Sequence, residues 1–524
     1  MARQPSEPGK TPARLGPLQH PLIWLCAAHV LLAVLLFDPK PFLGGDNYWY
    51  MLLGESLRTG EGYRDLWLPS TPAHTRYPPL YPALLAFLGL IKVSPVLFKL
   101  FSLACTTAVT ALVFLLTERR TGDRQLALLA GGLAAAAPIL VEYAHWVLSE
   151  PLFTVLVLVA VYAFSRDDAA GDVKIFAVGT GAAILASLAR SAGYPLLLAI
   201  LVSLAARRRW KRCAIFLGAV IVVLGSWWLR NRLAVSGDLP YTQWILFRDP
   251  YRPELGTVGA AELVGRFFHN LQAYALRVLP QSMAGRDVSG FAAGVLGTVA
   301  TALPTAAALR NLKQLRVTEL FFIFYMGLIL LWPEAWSDQR LLLPALPVIF
   351  VLLVEGLAWV AGKVDRQGRR AGAVTFVVGA LLVAVAVLGN LRLAARELDC
   401  ARAYWRGNRF ACYPAAVVDF IRTANWTAQN TDRQAIVVNR KPQIFYWYGR
   451  RRGDNYPYTE DTDSVMHFLD SLETDYVIVD RWSATTFRYL IPAIQANADR
   501  FGLAHQEGQP ATFLLTYSRS GGGR

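Results

Sequence analysis

The stretches 155–164 and 373–388 carry no charged side chain, and apolar runs of similar character recur along most of the chain. Hydrocarbon offers a peptide group no hydrogen-bond partner, so a membrane-embedded run satisfies its own backbone by becoming a helix. The repetition and length of these runs imply a polytopic α-helical membrane protein rather than a soluble core. Hydrophobic residues make up 54% of the 524 positions. Mean hydropathy is only +0.35, which fits a membrane domain with a large polar segment attached.

The charges orient the bundle. Lys and Arg number 52 against 37 Asp and Glu, a net charge of +15. They gather in short loops: Arg119, Arg120 and Arg124; Arg207 to Arg209 with Lys211 and Arg212; Arg310, Lys313 and Arg316; Lys363, Arg366, Arg369 and Arg370. Basic clusters at alternate loops mark the cytoplasmic side. No nucleic-acid-binding motif accompanies them, so nucleic acid is not an expected partner. About eleven spans follow, over 21–37, 99–117, 126–143, 151–164, 174–189, 194–206, 213–229, 291–309, 319–332, 341–360 and 371–388. The run 79–91 is short and reads as interfacial.

Residues 1–20 form a cytoplasmic tail in this layout. Arg3, Lys10 and Arg14 precede the first apolar run as in a signal peptide, but no small-residue cleavage site follows, so that run is an uncleaved helix. Residues 21–390 form the membrane domain, with a long outer loop at 38–78 and a second outer segment at 230–289 along the membrane surface. From 391 to 524 hydropathy falls, and strand-like stretches at 435–438, 476–480 and 512–517 alternate with helical spacing at 415–425 and 464–472. That pattern predicts an extracytoplasmic α/β domain. The abundance of Ala, Leu, Arg and Gly suggests a bacterial source, with the protein in the cell (inner) membrane and this domain periplasmic or extracellular. Cys400 and Cys412 lie close enough there to form a disulfide, whereas Cys26, Cys105 and Cys213 belong to apolar runs as small filler.

The outer loop is the most distinctive segment. It opens Gly44-Gly45-Asp46-Asn47-Tyr48-Trp49-Tyr50 and closes His74-Thr75-Arg76-Tyr77-Pro78-Pro79. An acid beside a membrane surface is a functional candidate, although Asp46 also reads as the N-cap of an interfacial helix. Glu150 in Leu148-Ser149-Glu150-Pro151 has the same two readings: a site acid, or a helix-start glutamate ahead of a first-turn proline. Glu142 and His145, three apart, are either half of a divalent-metal site or a hydrogen-bonded pair. Arg340 in Ser337-Asp338-Gln339-Arg340 stands on the outer side, against the charge trend. It can grip a phosphate bidentately or snorkel to headgroups. Arg76 is a second phosphate candidate. No nucleotide, zinc-hydrolase or dinucleotide motif is present.

Gly-Gly-Asp-Asn-Tyr-Trp-Tyr, Arg-Tyr-Pro-Pro-Leu-Tyr-Pro, Leu-Ser-Glu-Pro-Leu-Phe and Gln-Arg-Leu-Leu-Leu-Pro, in this order over 21–360, resemble GT-C membrane glycosyltransferases. The resemblance is to the superfamily of protein O-mannosyltransferases and lipid A aminoarabinose transferases. It implies an inverting transfer from a polyprenyl-phosphate-linked sugar to an extracytoplasmic glycan, lipid or protein hydroxyl. Asp46 matches the family's catalytic base and Glu150 its second acid. Where many members carry Lys-Pro-Pro-Leu, this chain has Tyr77, which moves the phosphate contact to Arg76 or Arg340. Tyr48, His74, Tyr77 and His145 are expected around the substrate cavity. A lipid-linked glycan polymerase or ligase is the nearest alternative. A lipid or solute transporter is another, although no internal repeat is visible.

Overall fold

The computed structural model describes residues 20–40, 44–170, 172–234, 244–365 and 370–519. Residues 1–19 of the expected cytoplasmic tail lie outside them. A first helix α1 (Pro21–Leu35) is followed by two short ones, α2 (Asp46–Arg58) and α3 (Leu80–Gly89), and by the long α4 (Pro95–Thr121). Next come α5 (Arg124–Ala136), α6 (Pro138–Tyr143), α7 (Glu150–Ala170), α8 (Val173–Ala189), α9 (Tyr194–Ala206) and α10 (Trp210–Leu233). The remainder of the bundle is α11 (Ala260–Ala273), α12 (Leu279–Ala284), α13 (Gly290–Asn311), α14 (Val317–Leu330), α15 (Gln339–Leu342), α16 (Leu346–Val364) and α17 (Ala371–Trp405).

Every run read as a span is mostly helical, with 341–360 interrupted by a turn at 343–345. Among the described residues α4, α10, α13, α16 and α17 are long and apolar enough to cross a membrane; α1, α3, α7, α8, α9 and α14 are apolar but shorter. Two expectations need correction. The run 126–143 is two helices, because Pro138 has no N–H and drives Ala137 to an extended ψ of 118°. The run 371–388 does not end near 388: α17 continues to Trp405, 35 residues in all, or about 52 Å at the helical rise.

The ends of the helices follow their local chemistry. Gly122 at φ 69° stops α4 after Arg119 and Arg120, which suit the negative end of its dipole. Asp123 then caps α5 by accepting from the N–H groups of Gln125 and Leu126. Arg120 is not a free surface charge. It is buried, and it donates to Glu319 of α14 and Glu355 of α16, each at 2.6 Å. This ion cluster ties three helices together at the end of α4 far from α2.

Beyond α17 the chain forms a four-stranded sheet of order β1-β2-β4-β3. β1 (Val437–Val438) is parallel to β2 (Tyr476–Val479), and β4 (Thr512–Tyr517) runs antiparallel to both β2 and β3 (Phe501–Glu507). It is accompanied by α18 (Ala415–Asn430), α19 (Pro442–Gly449), α20 (Thr462–Ser471) and α21 (Ile491–Ala496). A disulfide joins Cys400, in the last turns of α17, to Cys412, with Cα atoms 5.6 Å apart. The sheet unit sits over α2. The Gly453 N–H donates to the Trp67 carbonyl at 2.9 Å, Arg450 pairs with Glu55 at 3.0 Å, and the Tyr48 and Tyr448 hydroxyls meet at 3.2 Å.

Candidate active site

Gly45 sets the geometry of α2. Its φ of +87° is a conformation that L residues avoid, and it is Gly45, not Asp46, that occupies the N-cap. Asp46 is therefore the first helical residue, at the positive end of the α2 dipole. Its Oδ2 accepts from Arg340 Nη1 at 2.5 Å and its Oδ1 from the Tyr77 hydroxyl at 3.3 Å. Burial alone would raise this carboxyl. Arg340, with Arg76 and Lys441 behind it, outweighs that cost and holds Asp46 below the ordinary carboxylate value.

Glu150 opens α7 and is fully buried. Its Oε1 is shared by two guanidinium groups, Arg340 through Nε and Arg190 through Nη1, the latter at 2.6 Å. Its Oε2 is buried with no hydrogen-bond partner. The preceding residue completes the brace, since Ser149 Oγ meets the Tyr50 hydroxyl at 3.0 Å and accepts from Arg190 at 3.1 Å. Glu150 starts a helix ahead of Pro151, and the same side chain stands in a charged cluster with Arg190 and Arg340. Arg340 is placed by its own helix cap, for Asp338 accepts from the Arg340 N–H at 2.9 Å at the start of α15.

Asp46, Tyr50, Arg190 and Arg340 face a cavity of about 1080 Å³, and Glu150 and Ser149 stand behind them. Asp46, Tyr50, Arg76, Tyr77, Arg190, Tyr325 and Arg340 give it a charged and phenolic end. Leu198 of α9 and Phe324, Leu328 and Ile329 of α14 give it an apolar wall. That wall reaches the outside of the bundle, since Tyr194 and Leu198 are 60% and 48% exposed. Arg76 lies against aromatic faces, with its guanidinium carbon 5.8 Å from the Trp49 ring, 5.6 Å from Tyr77 and 5.6 Å from Trp244.

The structure thus brings Asp46, Glu150, Arg76, Arg340 and Tyr77 together and places three other expected residues elsewhere. Tyr48 points from the opposite side of α2 into the sheet unit, against Trp447 and Tyr448. His74 is buried inside the loop, bridging Asp65 Oδ1 at 2.7 Å and the Tyr77 N–H at 2.8 Å, and so shapes the cavity wall from behind. His145 is buried against Phe37 and accepts from the Asp38 N–H at 3.4 Å. Glu142 pairs with Arg286 at 2.5 Å rather than with His145. Among the described residues no three His, Cys, Asp or Glu side chains group as metal ligands. The two site acids are turned toward arginines.

Arg190 is the site residue that the sequence reading missed. Its signal was available: it breaks an apolar stretch at the turn between α8 and α9, on the same side as Arg340 and against the same charge trend. Lys441 also went unnoticed. It arrives from the sheet unit, and its Nζ would lie 3.6 Å from a Cβ at Gly45.

No protein-family profile matches the sequence, and no curated protein matches it. Solved structures do match its fold. The oligosaccharyltransferase of Archaeoglobus fulgidus, solved with Zn and sulfate, superposes with a TM-score of 0.56 at 14% identity, over 94% of this chain and 73% of that one. ArnT from Cupriavidus metallidurans bound to undecaprenyl phosphate gives 0.57 at 12% identity, over 94% of this chain and 97% of that one. Its apo form gives 0.58 with the same identity and coverage. The chain therefore has the GT-C fold of membrane glycosyltransferases.

Proposed function

We propose that this protein is an inverting membrane glycosyltransferase that moves a sugar from a polyprenyl-phosphate donor to an acceptor hydroxyl on the extracytoplasmic side. One observation carries the reading: Asp46 shares with Arg76, Arg190 and Arg340 a cavity whose other wall is apolar and open to the outside of the bundle. A lipid phosphate has that same division, an anionic head on a long apolar tail. The fold likeness to an ArnT that binds undecaprenyl phosphate supports the assignment.

In the reaction, Asp46 takes the proton of the acceptor hydroxyl as its oxygen bonds to the anomeric carbon. The bond from that carbon to the phosphate oxygen breaks on the opposite face, and the electron pair leaves with the polyprenyl phosphate. The arginines stabilise the charge gathering there, which is the larger electrostatic task in a site partly closed to water. A monophosphate leaving group can be held by guanidinium groups alone, so the step as written makes a metal optional. Asp46 and the sheet unit lie at the end of α4 away from Arg120, which with the basic loop clusters supports a cytoplasmic N-terminus and a periplasmic or extracellular sheet unit.

The test is mass spectrometry of envelope glycans and lipids from cells lacking the gene, complemented with wild type or Asp46→Asn. Wild type should restore one sugar addition. Asp46→Asn should lower it by about 10²- to 10⁴-fold, the usual weight of a general base. A fully active Asp46→Asn protein, or unchanged glycans with altered uptake of a solute, would overturn the reading.

A further inference from the structure

Arg340 serves two acids at once. Its Nη1 is on Asp46 Oδ2 at 2.5 Å and its Nε is on Glu150 Oε1. With the Tyr77 hydroxyl on Oδ1, both oxygens of Asp46 are engaged, and a carboxylate held this way is a weak base. The two acids differ in what they would lose if the guanidinium shifted. Glu150 is fully buried but keeps Arg190 on the same oxygen at 2.6 Å. Asp46 has 24% of its side chain exposed and can be rehydrated. The Arg340–Asp46 contact is therefore the one that can yield without stranding a buried charge. The group able to draw it off is an anion seated among Arg76, Arg190 and Arg340, since guanidinium pairs bidentately with phosphate.

We propose that Arg340 is a latch on the base: a polyprenyl phosphate engaging the arginine cluster pulls Arg340 from Asp46, so that the base is released only when the donor is in place. Glu150 is the positioning residue in this scheme, keeping the guanidinium aimed while it changes partner. The inference rests on the glycosyltransferase reading and adds an order to it, donor before acceptor. A latch of this kind suppresses proton abstraction from an acceptor that has no sugar to receive.

The test uses the full chain in lipid nanodiscs, titrated with undecaprenyl phosphate carrying no sugar and followed by thermal shift and tryptophan quenching. Removing the competing carboxylate in Asp46→Asn should tighten binding by about tenfold, the scale of one unit charge lost near the anion. Charge removal alone would give the same gain in any background, so the mark of the latch is that the gain depends on Arg340. In an Arg340→Gln background the gain should vanish, because the coupling runs through that side chain. If Arg340→Gln does not fold, Arg340→Lys keeps a charge for Glu150 but is too short to hold both acids, and the gain should again be lost. Unchanged or weaker binding by Asp46→Asn overturns the latch, as does an equal gain in either Arg340 background. Inorganic phosphate should bind far more weakly than the lipid; equal affinity would overturn the lipid as the releasing ligand. Failure of the wild-type protein to bind undecaprenyl phosphate at all would instead overturn the functional reading.

Discussion

Two acids that look alike in sequence have different surroundings. Asp46 is half-buried among arginines, whereas Glu150 is sealed between Arg190 and Arg340. Taking away one side of a buried charge cluster strands the other. Glu150→Ala should lower stability by about 3–5 kcal/mol, read as a fall in thermal unfolding temperature of the purified protein; an unchanged temperature would show that the arginines rehydrate freely. Lys441 gives a pH signature. Burial, then neighbouring Arg440, lowers its ammonium to about 8, with Asp46 and Asp480 opposing. Between about 8 and the ordinary lysine value the folded protein binds fewer protons than the unfolded chain, so stability from this group rises with pH across that window. At pH 7 the full penalty stands. Lys441→Met should therefore stabilise by about 1–3 kcal/mol at pH 7 and lose that gain above pH 10.5, which melts at the two pH values would check. The acids Asp46 and Glu150 were legible because each sits in a short, unusual peptide. Arg190 was passed over because a lone charge against the trend is a weaker mark than a short motif, and its partner Glu150 is met only when α7 and α8 pack.

At the scale of elements, the apolar runs announced nearly every helix, while their ends depended on features outside the runs. Pro138 divides one expected span. The last helix outruns its apolar stretch: Leu393 and Ala394 pack beside Ala33, Leu36 and Val141, and the disulfide holds Cys400. β3 was not anticipated, since Phe501–Glu507 alternates poorly and is exposed along much of its length, and it forms as an edge paired only with β4. The disulfide was anticipated, and its surroundings give it a consequence. Tyr413, next to Cys412, lies under the Lys40 ammonium, 5.5 Å from ring centroid to Nζ. Lys40 in turn pairs with Asp38 at 3.1 Å, and Lys99 of α4 donates to the Asp38 and Lys40 carbonyls. Opening the bridge should cost about 3 kcal/mol by the loop-closure estimate. A Cys400→Ser, Cys412→Ser protein should melt correspondingly lower, and reductant should lower the wild type but not this variant.

For the whole molecule, the bundle and its outer loop line the cavity and supply the arginines, and the sheet unit covers the back of α2. On the proposed sidedness, single cysteines separate the two ends. In intact spheroplasts a membrane-impermeant maleimide should label Ser464→Cys and spare Lys211→Cys. The reverse pattern would invert the topology and place the site in the cytoplasm. The helical bundle was readable from hydropathy alone. The closure of α2 by Tyr448, Arg450 and Gly453 was not, because those contacts join segments almost four hundred positions apart and leave no local pattern.

The sideways opening beside Tyr194 and Leu198 has a last implication. On the proposed reaction, a spent carrier would slip back among its neighbouring lipids without ever meeting the aqueous route that the finished product must take. Turnover limited by that escape would follow the fluidity of the bilayer, slowing as acyl chains stiffen in the cold, while thickening the surrounding water would leave it unmoved.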